Sequence, residues 1–334
     1  MSVTPFERDI ADQDEALRAF ASSSLPESLG ELDLRRFDRI VFTGMGSSHF
    51  GALRSWRRLV AAGLPAWWVD AGQLLDSPEL VTGQSLVVAT SQSGASGEIV
   101  SLLDDLSART LIGVTNAAAS PLGERSDIFL PLCSGDEATV STKSYTNTLA
   151  AHERLIDRLL GKADRRYADF ASSVGQAPDA PILNRVADEL AIDSMPRLAF
   201  VGYGDHAATA LYAGLITKEA AKVAAEGYIG GQFRHGPFEL AGPGLAAVLF
   251  GAAPDARPSV VRLAKDLVAT GATVVLVGGL RVPGAETIAT PAGDTVQQLI
   301  AGTAVAQSLT VRISRARGTV PGDFTYATKI TTAL

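Results

Sequence analysis

The sequence is poor in the side chains that build disulfides and metal centres, with one cysteine, Cys133, and four histidines in 334 residues. A single cysteine excludes an intramolecular disulfide framework, and no ligand spacing typical of zinc is present. No apolar run reaches the roughly 18 residues that indicate a membrane span, and the N-terminus is too acidic and polar for a secretory signal. These absences favour a cytoplasmic protein without a membrane segment.

Positive charge is also in short supply. The 29 lysines and arginines are outnumbered by 36 aspartates and glutamates, which gives a net charge of −7 and a pI of about 5.2. This balance argues against nucleic acids and membrane surfaces as partners. With 46% hydrophobic residues and 32 glycines, the composition is typical of a soluble α/β protein, and the length allows two domains.

Short apolar runs rich in β-branched residues alternate with helical patterns in the first half of the chain, and the second half repeats them. Residues 197–204 match residues 39–46 at an offset of 158, and apolar runs at 246–250 and 273–277 follow in the same order as their counterparts. The repeat predicts two tandem doubly wound parallel-sheet domains of α/β class, flavodoxin-like with three αβα layers. We expect a helical lead-in at 1–36, a first domain at 37–165, a second at 180–316 and a C-terminal tail at 317–334.

The turn between Ser91 and Ser96 joins a predicted buried strand to a predicted helix. Gly94 permits a tight turn, and Ser96 is a good helix N-cap. Free N–H groups and the helix dipole at such a position favour an anion, to which Ser91, Ser93 and Ser96 add hydroxyls and Gln92 an amide. These neutral donors suit a phosphate monoester. The alternative is an ordinary strand–helix turn rich in serine and glycine.

A Gly-x-Gly turn at Gly44 and Gly46, with Asp70 ending the next predicted strand, has the outline of a dinucleotide site. The expected third glycine is His49, so we rank this alternative, an NAD-dependent oxidoreductase, below the phosphate interpretation. Ser48 instead adds a hydroxyl beside the start of the first helix, which fits a bound phosphate. The sequence therefore contains two hydroxyl-rich helix starts so far, and Ser141 marks a third.

Glu219 is the candidate for a general base. Helical spacing puts it in one row with Leu211, Leu215 and Val223, which predicts a carboxylate on a buried face. Burial would raise its pKa and suit it to removing a proton from carbon. The alternative is a structural ion pair with Lys222.

His235 and Lys329 are weaker candidates when each is taken alone. His235 precedes a Gly-Pro pair and so lies in a turn, where an imidazole could move a sugar hydroxyl proton during ring opening. Its alternative is a surface or capping histidine. Lys329 lies in a polar C-terminal segment, where a lysine is usually solvated.

These motifs together resemble the sugar isomerase (SIS) domain family, and more closely the isomerase half of glucosamine-6-phosphate synthase and the related stand-alone deaminases and deglycases. The resemblance runs from about Arg39 to the C-terminus. The residues that carry it occur in order: Gly44-Met45-Gly46-Ser47-Ser48, Ser91-Gln92-Ser93-Gly94, Ser141-Thr142-Lys143-Ser144, Lys218-Glu219, Glu226-Gly227-Tyr228 and Arg234-His235-Gly236-Pro237.

The resemblance implies a phosphosugar aldose–ketose isomerase, coupled to release of an amine, that works through an enediol or enolamine without metal or redox cofactor. It implies that Glu219 moves the proton between C1 and C2, that His235 assists ring opening across a homodimer interface with a shared active site, and that Lys329 reaches the substrate carbonyl. It assigns the sugar phosphate to Ser48, Ser91, Gln92, Ser93 and Ser96, with Ser141 near the sugar.

Two positions depart from the family pattern. The synthases have a lysine three residues before the catalytic glutamate and a glutamate seven residues before it, where this chain has Ile216 and Tyr212. These departures leave the substrate open, and they leave a non-catalytic regulatory protein that binds sugar phosphates as the alternative. Retention of both Glu219 and His235 favours the enzyme.

Overall fold

The structure is a computed structural model, and it describes residues 2–163, 165–175, 180–251, 257–326 and 328–332. The chain divides into two compact units, each containing one β-sheet. The first unit comprises Glu15–Glu137, Lys143–Asp169 and Tyr326–Leu334. The second unit comprises Met1–Asp14, Ala138–Thr142 and Phe170–Thr325.

The elements alternate along the chain as an α/β pattern requires. The strands are β1 (Arg39–Gly44), β2 (Ala66–Trp68), β3 (Ser85–Thr90), β4 (Thr110–Thr115), β5 (Ile128–Pro131), β6 (Arg197–Gly202), β7 (Ala225–Ile229), β8 (Leu245–Phe250), β9 (Thr273–Val277) and β10 (Glu286–Ile288). The α-helices are α1 (Pro5–Ala11), α2 (Gln13–Ser22), α3 (Gly46–Gly51), α4 (Leu53–Ala61), α5 (Ala71–Asp76), α6 (Gly97–Asp105), α7 (Pro121–Arg125), α8 (Lys143–Leu159), α9 (Ala171–Val174), α10 (Pro181–Ile192), α11 (Ala207–Ala221), α12 (Arg257–Ala269) and α13 (Thr295–Ala316).

The sheet of the first unit has the strand order β2-β1-β3-β4-β5, and all of its pairings are parallel. Every residue of β3 is buried, which is the behaviour of a strand whose two faces are both covered by helices. Val87 of β3 packs with Ile99 and Leu103 of α6 in one apolar cluster. This packing fixes the direction in which the chain leaves β3 and enters α6.

The sheet of the second unit has the order β10-β9-β8-β6-β7, again entirely parallel. Read from β7, it repeats the order of the first sheet, and both have the 2-1-3-4-5 order of flavodoxin-like folds. The predicted fold class of two tandem doubly wound α/β domains is confirmed. Two strands were not predicted from the sequence: β7, because Glu226 and Gly227 interrupt its apolar pattern, and the three-residue β10.

The units are not the continuous segments that we expected. The helical lead-in at 1–36 is divided after Asp14, and the tail at 317–334 is divided after Thr325. The stretch at 161–179, expected as a polar connection, contains a 3₁₀ turn at Tyr167–Phe170 followed by α9. Tyr167 and Phe170 are both buried, and the hydroxyl of Tyr167 donates to Oδ2 of Asp157 at 3.0 Å. Residues 176–179 of that connection lie outside the described residues.

Within the described parts of the chain, none of the helices is long and apolar enough to cross a bilayer.

Candidate functional site

The loop from Ser91 to Ser96 lies at the carboxyl end of β3 and leads into the nine-residue helix α6. Ser96 is the N-cap residue, as predicted, with extended backbone angles (φ −66°, ψ 144°). Its hydroxyl does not bond the first turn of the helix. Its Oγ lies instead 3.3 Å from Oγ of Ser91, so two of the predicted phosphate ligands face each other across the loop.

Hydrogen bonds within the loop hold its backbone in one conformation. The N–H of Gly94 donates to the carbonyl oxygen of Ser91 at 3.1 Å and to its Oγ at 3.2 Å. The N–H of Ala95 donates to Oγ of Ser93 at 3.2 Å, and the N–H of Asn116 donates to the carbonyl of Gln92 at 3.1 Å. The loop is therefore organised before any ligand binds, which lowers the entropy cost of binding.

Gly94 is required at its position for two reasons. Its φ is +66°, in the left-handed region that favours glycine. A Cβ at this position would lie 2.0 Å from Oγ of Ser120 and 2.9 Å from Oγ1 of Thr115. The tight turn and the close approach of Ser120 and Thr115 both require a residue without a side chain at this position.

The donors of this loop suit an anion. Ser91 is buried, whereas Gln92, Ser93 and Ser96 are partly exposed. Among the described residues, none accepts a hydrogen bond from the main-chain N–H of Ser93 or Ser96. These N–H groups and the dipole of α6 favour negative charge at the loop, so the geometry is consistent with the predicted phosphate site.

Ser48 belongs to the same edge of the first sheet. Strand β1 pairs with β3 so that Gly44 lies opposite Thr90, and a Cβ on Gly44 would be 2.7 Å from the carbonyl oxygen of Thr90. Ser48 follows in α3 and is partly exposed. Because the carboxyl ends of parallel neighbours meet at one edge, Ser48 and the Ser91 loop both follow adjacent strand ends.

The features that suggested a dinucleotide site have structural roles in the first unit. Asp70 caps α5, where its Oδ1 accepts a hydrogen bond from the N–H of Gln73 at 3.0 Å. The ring of His49 stacks on Trp68 with 4.0 Å between centroids. Burial lowers the pKa of His49 to about 4, against the opposing charge of Asp70. Asp70, which would bind the ribose in a dinucleotide site, is therefore the N-cap residue of α5.

Lys329, predicted from the resemblance, forms an ion pair with Glu137, which the sequence analysis did not select. Lys329 Nζ lies 2.6 Å from Glu137 Oε2. The Glu137 side chain is fully buried, and it also accepts hydrogen bonds from Oγ of Ser144 at 2.7 Å and from the N–H of Ser144 at 3.0 Å. The position of Glu137 just before a hydroxyl-rich helix start was the one local signal that could have found it.

The tail also contacts the start of α6 directly. The N–H of Gly97, the first residue of α6, donates to the carbonyl oxygen of Thr331 at 3.0 Å. Within the first unit, the segment that carries Lys329 therefore lies against the helix end that follows the serine loop. The structure brings the loop and this segment of the tail together.

Glu219 lies on α11 of the second unit, and its surroundings correct one expectation. Most of α11 is buried, except that Leu211, Leu215 and Glu219 are partly exposed and Lys218 is exposed. The predicted row thus forms the least buried face of the helix rather than a buried one. Val223 lies beyond the helix end, because the chain turns at Lys222, whose φ is +55°.

Lys222 bonds to the main chain around Glu219. Its ammonium group donates to the carbonyl oxygen of Glu219 and, at 2.5 Å, to that of Asp323. These contacts close the end of α11 and attach residues 322–323 to it, together with the hydrogen bond from the N–H of Gly322 to the carbonyl of Ala220 at 3.2 Å.

Ser141 is held by Tyr212, one of the two residues that depart from the family pattern. Tyr212 is fully buried, and its hydroxyl donates to the carbonyl oxygen of Ser141 at 2.7 Å. The same hydroxyl accepts a hydrogen bond from Nε2 of Gln307 at 2.9 Å. Ile216, the other departure, is also fully buried. Tyr212 therefore positions a segment that the resemblance assigns to the sugar.

His235 is exposed and follows the 3₁₀ turn Gly230–Arg234. The next residue, Gly236, has a φ of +111°, so the histidine lies in a turn as predicted. Ser141, Glu219 and His235 thus belong to the second unit, whereas Ser48, the serine loop and Lys329 belong to the first.

In the described ranges, no group of three or more His, Cys, Asp and Glu side chains could hold a metal ion.

Comparison with known proteins gives a family match over part of the chain. A family model described as the SIS domain matches residues 33–158. The glutamine–fructose-6-phosphate aminotransferase (isomerizing) of Pyrococcus horikoshii is 29% identical over 266 residues, which are 75% of this chain and 44% of that protein. This chain therefore spans less than half the length of that relative.

Solved structures share this fold over most of the chain. The C-terminal domain of glucosamine-fructose-6-phosphate aminotransferase from Francisella tularensis has a TM-score of 0.82 at 18% identity, covering 96% of this chain and 99% of that one. Glucosamine-6-phosphate deaminase from Thermotoga maritima has a TM-score of 0.74 at 23% identity, covering 98% and 99%. At these identities the likeness shows the fold alone.

Proposed function

We propose that this chain, which contains a SIS domain at residues 33–158, is an enzyme that isomerises a phosphorylated sugar between aldose and ketose forms and releases an amine. Water adds to the imine carbon, and the C–N bond breaks as the carbonyl forms. The observation that carries the proposal is the serine loop at the start of α6. Its hydroxyls, its N–H groups and the helix dipole all favour a phosphate. The Thermotoga maritima deaminase, whose fold this chain shares, acts on an amino-sugar phosphate by its name.

The proposed roles follow from the chemistry of enolisation. Ser48, Ser91, Gln92, Ser93 and Ser96 hold the phosphate, and Ser141 contacts the sugar. Glu219 removes a proton at one carbon and returns it to the neighbouring carbon, because a carboxylate can act as both base and acid at one position. His235 moves the hydroxyl proton during ring opening, and Lys329 stabilises the charge that develops on the carbonyl oxygen.

The test is proton NMR in deuterated water with a panel of hexose and hexosamine 6-phosphates. We expect deuterium to appear at C1 or C2 of one sugar with the wild-type chain and not with Glu219→Gln. The matched control is Glu189→Gln, an exposed glutamate of α10 that pairs with Arg185 at 3.9 Å, and it should exchange like wild type. Exchange that persists in Glu219→Gln would remove Glu219 as the base.

We also propose that the enzyme is a homodimer whose active site includes His235 of the second subunit. Two inactive variants, Glu219→Gln and His235→Asn, should then restore activity when their subunits are unfolded together and refolded. With random pairing, about half of the dimers contain one subunit of each variant. In such a dimer one of the two sites combines an intact Glu219 with an intact His235 and the other has neither, so the mixture should have about one quarter of wild-type activity. A mixture that stays inactive, or a monomer in sedimentation, would contradict the shared site.

The second candidate is a non-catalytic protein that binds sugar phosphates. It is favoured by Tyr212, whose hydroxyl is engaged by Ser141 and Gln307, and by the fully buried Ile216, which stand where the resembling synthases have glutamate and lysine. Saturable binding of a panel member without deuterium exchange would establish this candidate. Exchange would exclude it.

A further inference from the structure

The second unit contains a cavity of ≈ 480 Å³ that has no role in the proposed reaction. It lies at the amino ends of β6 and β8 and along β7, which is the edge strand of its sheet. Its volume falls within the about 300–1,000 Å³ that small-molecule sites occupy. Neither Ser141, Glu219 nor His235 lines it.

Three cationic side chains line this cavity: Arg197, Lys222 and Arg317. Each is bonded to main-chain carbonyl oxygens. Arg197 donates to Leu240 at 2.8 Å and to Pro243 at 2.5 Å. Arg317 donates to Leu190 at 2.9 Å and to Asp193 at 3.5 Å, and Lys222 donates to Asp323 at 2.5 Å.

The positive charge of these three residues is not neutralised by ion pairs. Among the residues that the structure describes, no carboxylate oxygen lies within 4 Å of their nitrogen atoms. Glu226 also lines the cavity, but its carboxylate pairs with Lys218 at 3.2 Å. The cavity therefore has an excess of positive charge, because the one lining acid in this part of the chain already has a cationic partner.

The remaining wall is apolar. Phe233 is buried and Tyr228 is partly exposed, and both line the cavity. At its rim, Leu240 and Met195 expose 48% and 80% of their surfaces. An apolar group that covered these two side chains would be stabilised by the hydrophobic effect.

We propose that this cavity binds a small organic anion that has an aromatic or aliphatic body. Nε of Arg197 and both Nε and Nη2 of Arg317 have no acceptor among the described residues, so each guanidinium keeps donors for a phosphate or carboxylate. Charge-assisted bonds of this kind are roughly twice as strong as neutral ones. The apolar body lies along Phe233, Tyr228 and the rim.

The cavity is also connected to the end of α11. Lys222, which lines it, donates to the main-chain carbonyl of Glu219. An anion that draws the ammonium group into the cavity would weaken this contact. The binding site itself stands independently of the proposed function.

The binding test uses phenyl phosphate as the probe, and saturation-transfer NMR detects its binding. The protein carries Ser91→Ala and Ser93→Ala, because these substitutions remove hydroxyls from the serine loop, which would otherwise compete for the phosphate group. We expect saturable binding that is tighter than that of inorganic phosphate. Arg197→Gln and Arg317→Gln should each weaken it at least about tenfold, as expected for loss of a bond to a charged group. Arg185→Gln is the control, because Arg185 is an exposed arginine of the same unit that pairs with Glu286 outside the cavity.

Two further variants keep the test decisive if the glutamine variants unfold. Lys222→Met changes an exposed side chain and should also weaken binding, whereas Arg317→Lys retains the charge and should bind more tightly than Arg317→Gln. The proposal is overturned if phenyl phosphate does not bind, if inorganic phosphate binds equally well, or if the folded cavity variants bind like Arg185→Gln. A change in sedimentation without a change in binding would also overturn it, by assigning these cations to a subunit contact.

Discussion

Lys329 and Glu137 form an ion pair of 2.6 Å although 192 residues separate them in the sequence. The carboxylate is fully buried, whereas the lysine side chain keeps 24% of its exposure. The acid is thus the fixed partner, since Ser144 holds it from the start of α8. The lysine reaches it from the C-terminal segment, so Glu137 sets where the Lys329 ammonium group lies.

Replacing Glu137 by glutamine should destabilise the first unit by about 1–3 kcal/mol, because the buried group loses its charge-assisted hydrogen bonds. Urea unfolding measures the loss. Asp136→Asn, an exposed neighbour, is the control and should change stability by less than about 0.5 kcal/mol. In a Lys329→Met background the cost of Glu137→Gln should fall, because the pair is already broken. Equal costs in both backgrounds would show that Lys329 contributes nothing to holding Glu137.

Gly94→Ala should disrupt the serine loop. Gly135 offers a matched control, because its φ is also +66° and a Cβ there meets nothing within 4 Å. Gly135→Ala therefore measures only the backbone strain, about 1–2 kcal/mol. Gly94→Ala adds the clash with Ser120 and should cost more, and it should also abolish binding of sugar phosphates in an NMR titration. Equal stabilities and intact binding would mean that the loop tolerates the side chain.

The stability of the first unit should fall in mild acid because of His152. This residue is fully buried, and desolvation lowers its pKa from 6.5 to about 3. The unfolded chain therefore binds a proton between about pH 6.5 and pH 3 that the folded chain does not, so stability present above pH 6.5 is lost as the pH falls. The slope for one such group is at most about 1.4 kcal/mol per pH unit.

Urea unfolding at a series of pH values checks this slope. His152 contacts Oγ1 of Thr90 at 2.9 Å and Oγ of Ser55 at 3.1 Å, so His152→Gln will cost stability at every pH. What distinguishes the loss of the histidine's protonation from this general loss is the pH dependence: in His152→Gln, the unfolding free energy should fall less steeply as the pH is lowered below 6.5. His49, whose pKa burial also lowers, contributes to the slope in the same direction. An unaltered slope in His152→Gln would refute the assignment.

Tyr212→Phe removes the hydroxyl that joins Ser141 to Gln307. The carbonyl of Ser141 and the amide of Gln307 then lose a partner, and we expect a loss of about 1–3 kcal/mol in unfolding free energy. If Ser141 contacts the sugar, KM should rise more than kcat falls. Tyr228→Phe, which changes a partly exposed tyrosine of β7, is the control. If Tyr212→Phe is as stable as Tyr228→Phe, the hydroxyl of Tyr212 does not hold Ser141 in place.

The sequence predicted what depends on local pattern. The buried run of β3, the glycine turn and the N-cap at Ser96 all follow from neighbouring residues, and these are the features on which the proposed phosphate site depends. The repeat predicted two tandem doubly wound parallel-sheet domains, and each unit contains one such sheet. The pairing of Glu137 with Lys329 could not be found in this way, because no local pattern relates residues that far apart.

Helix α11 shows a second limit of the sequence analysis. Spacing placed Leu211 and Leu215 in one row with Glu219, as the structure has them, but it wrongly added Val223, which lies beyond the helix end. It also could not give the direction of that row. Most of α11 is buried, including Thr209 and Thr217 on its other faces, so its apolar pattern contains little contrast between faces. The least buried stripe therefore consists partly of leucines, and a leucine row was mistaken for the buried side.

The Glu137–Lys329 pair also bears on how the chain folds during synthesis. A ribosome adds about 5–20 residues per second, so Lys329 is added about 10–40 s after Glu137. During that interval Glu137 cannot form its ion pair with Lys329, and the N–H of Gly97 at the start of α6 cannot donate to the carbonyl of Thr331. The sheet of the first unit is complete long before, yet the nascent unit must wait for the last described residues of the chain. A translation pause within the second unit would prolong this immature state and the exposure of the chain to proteases and chaperones.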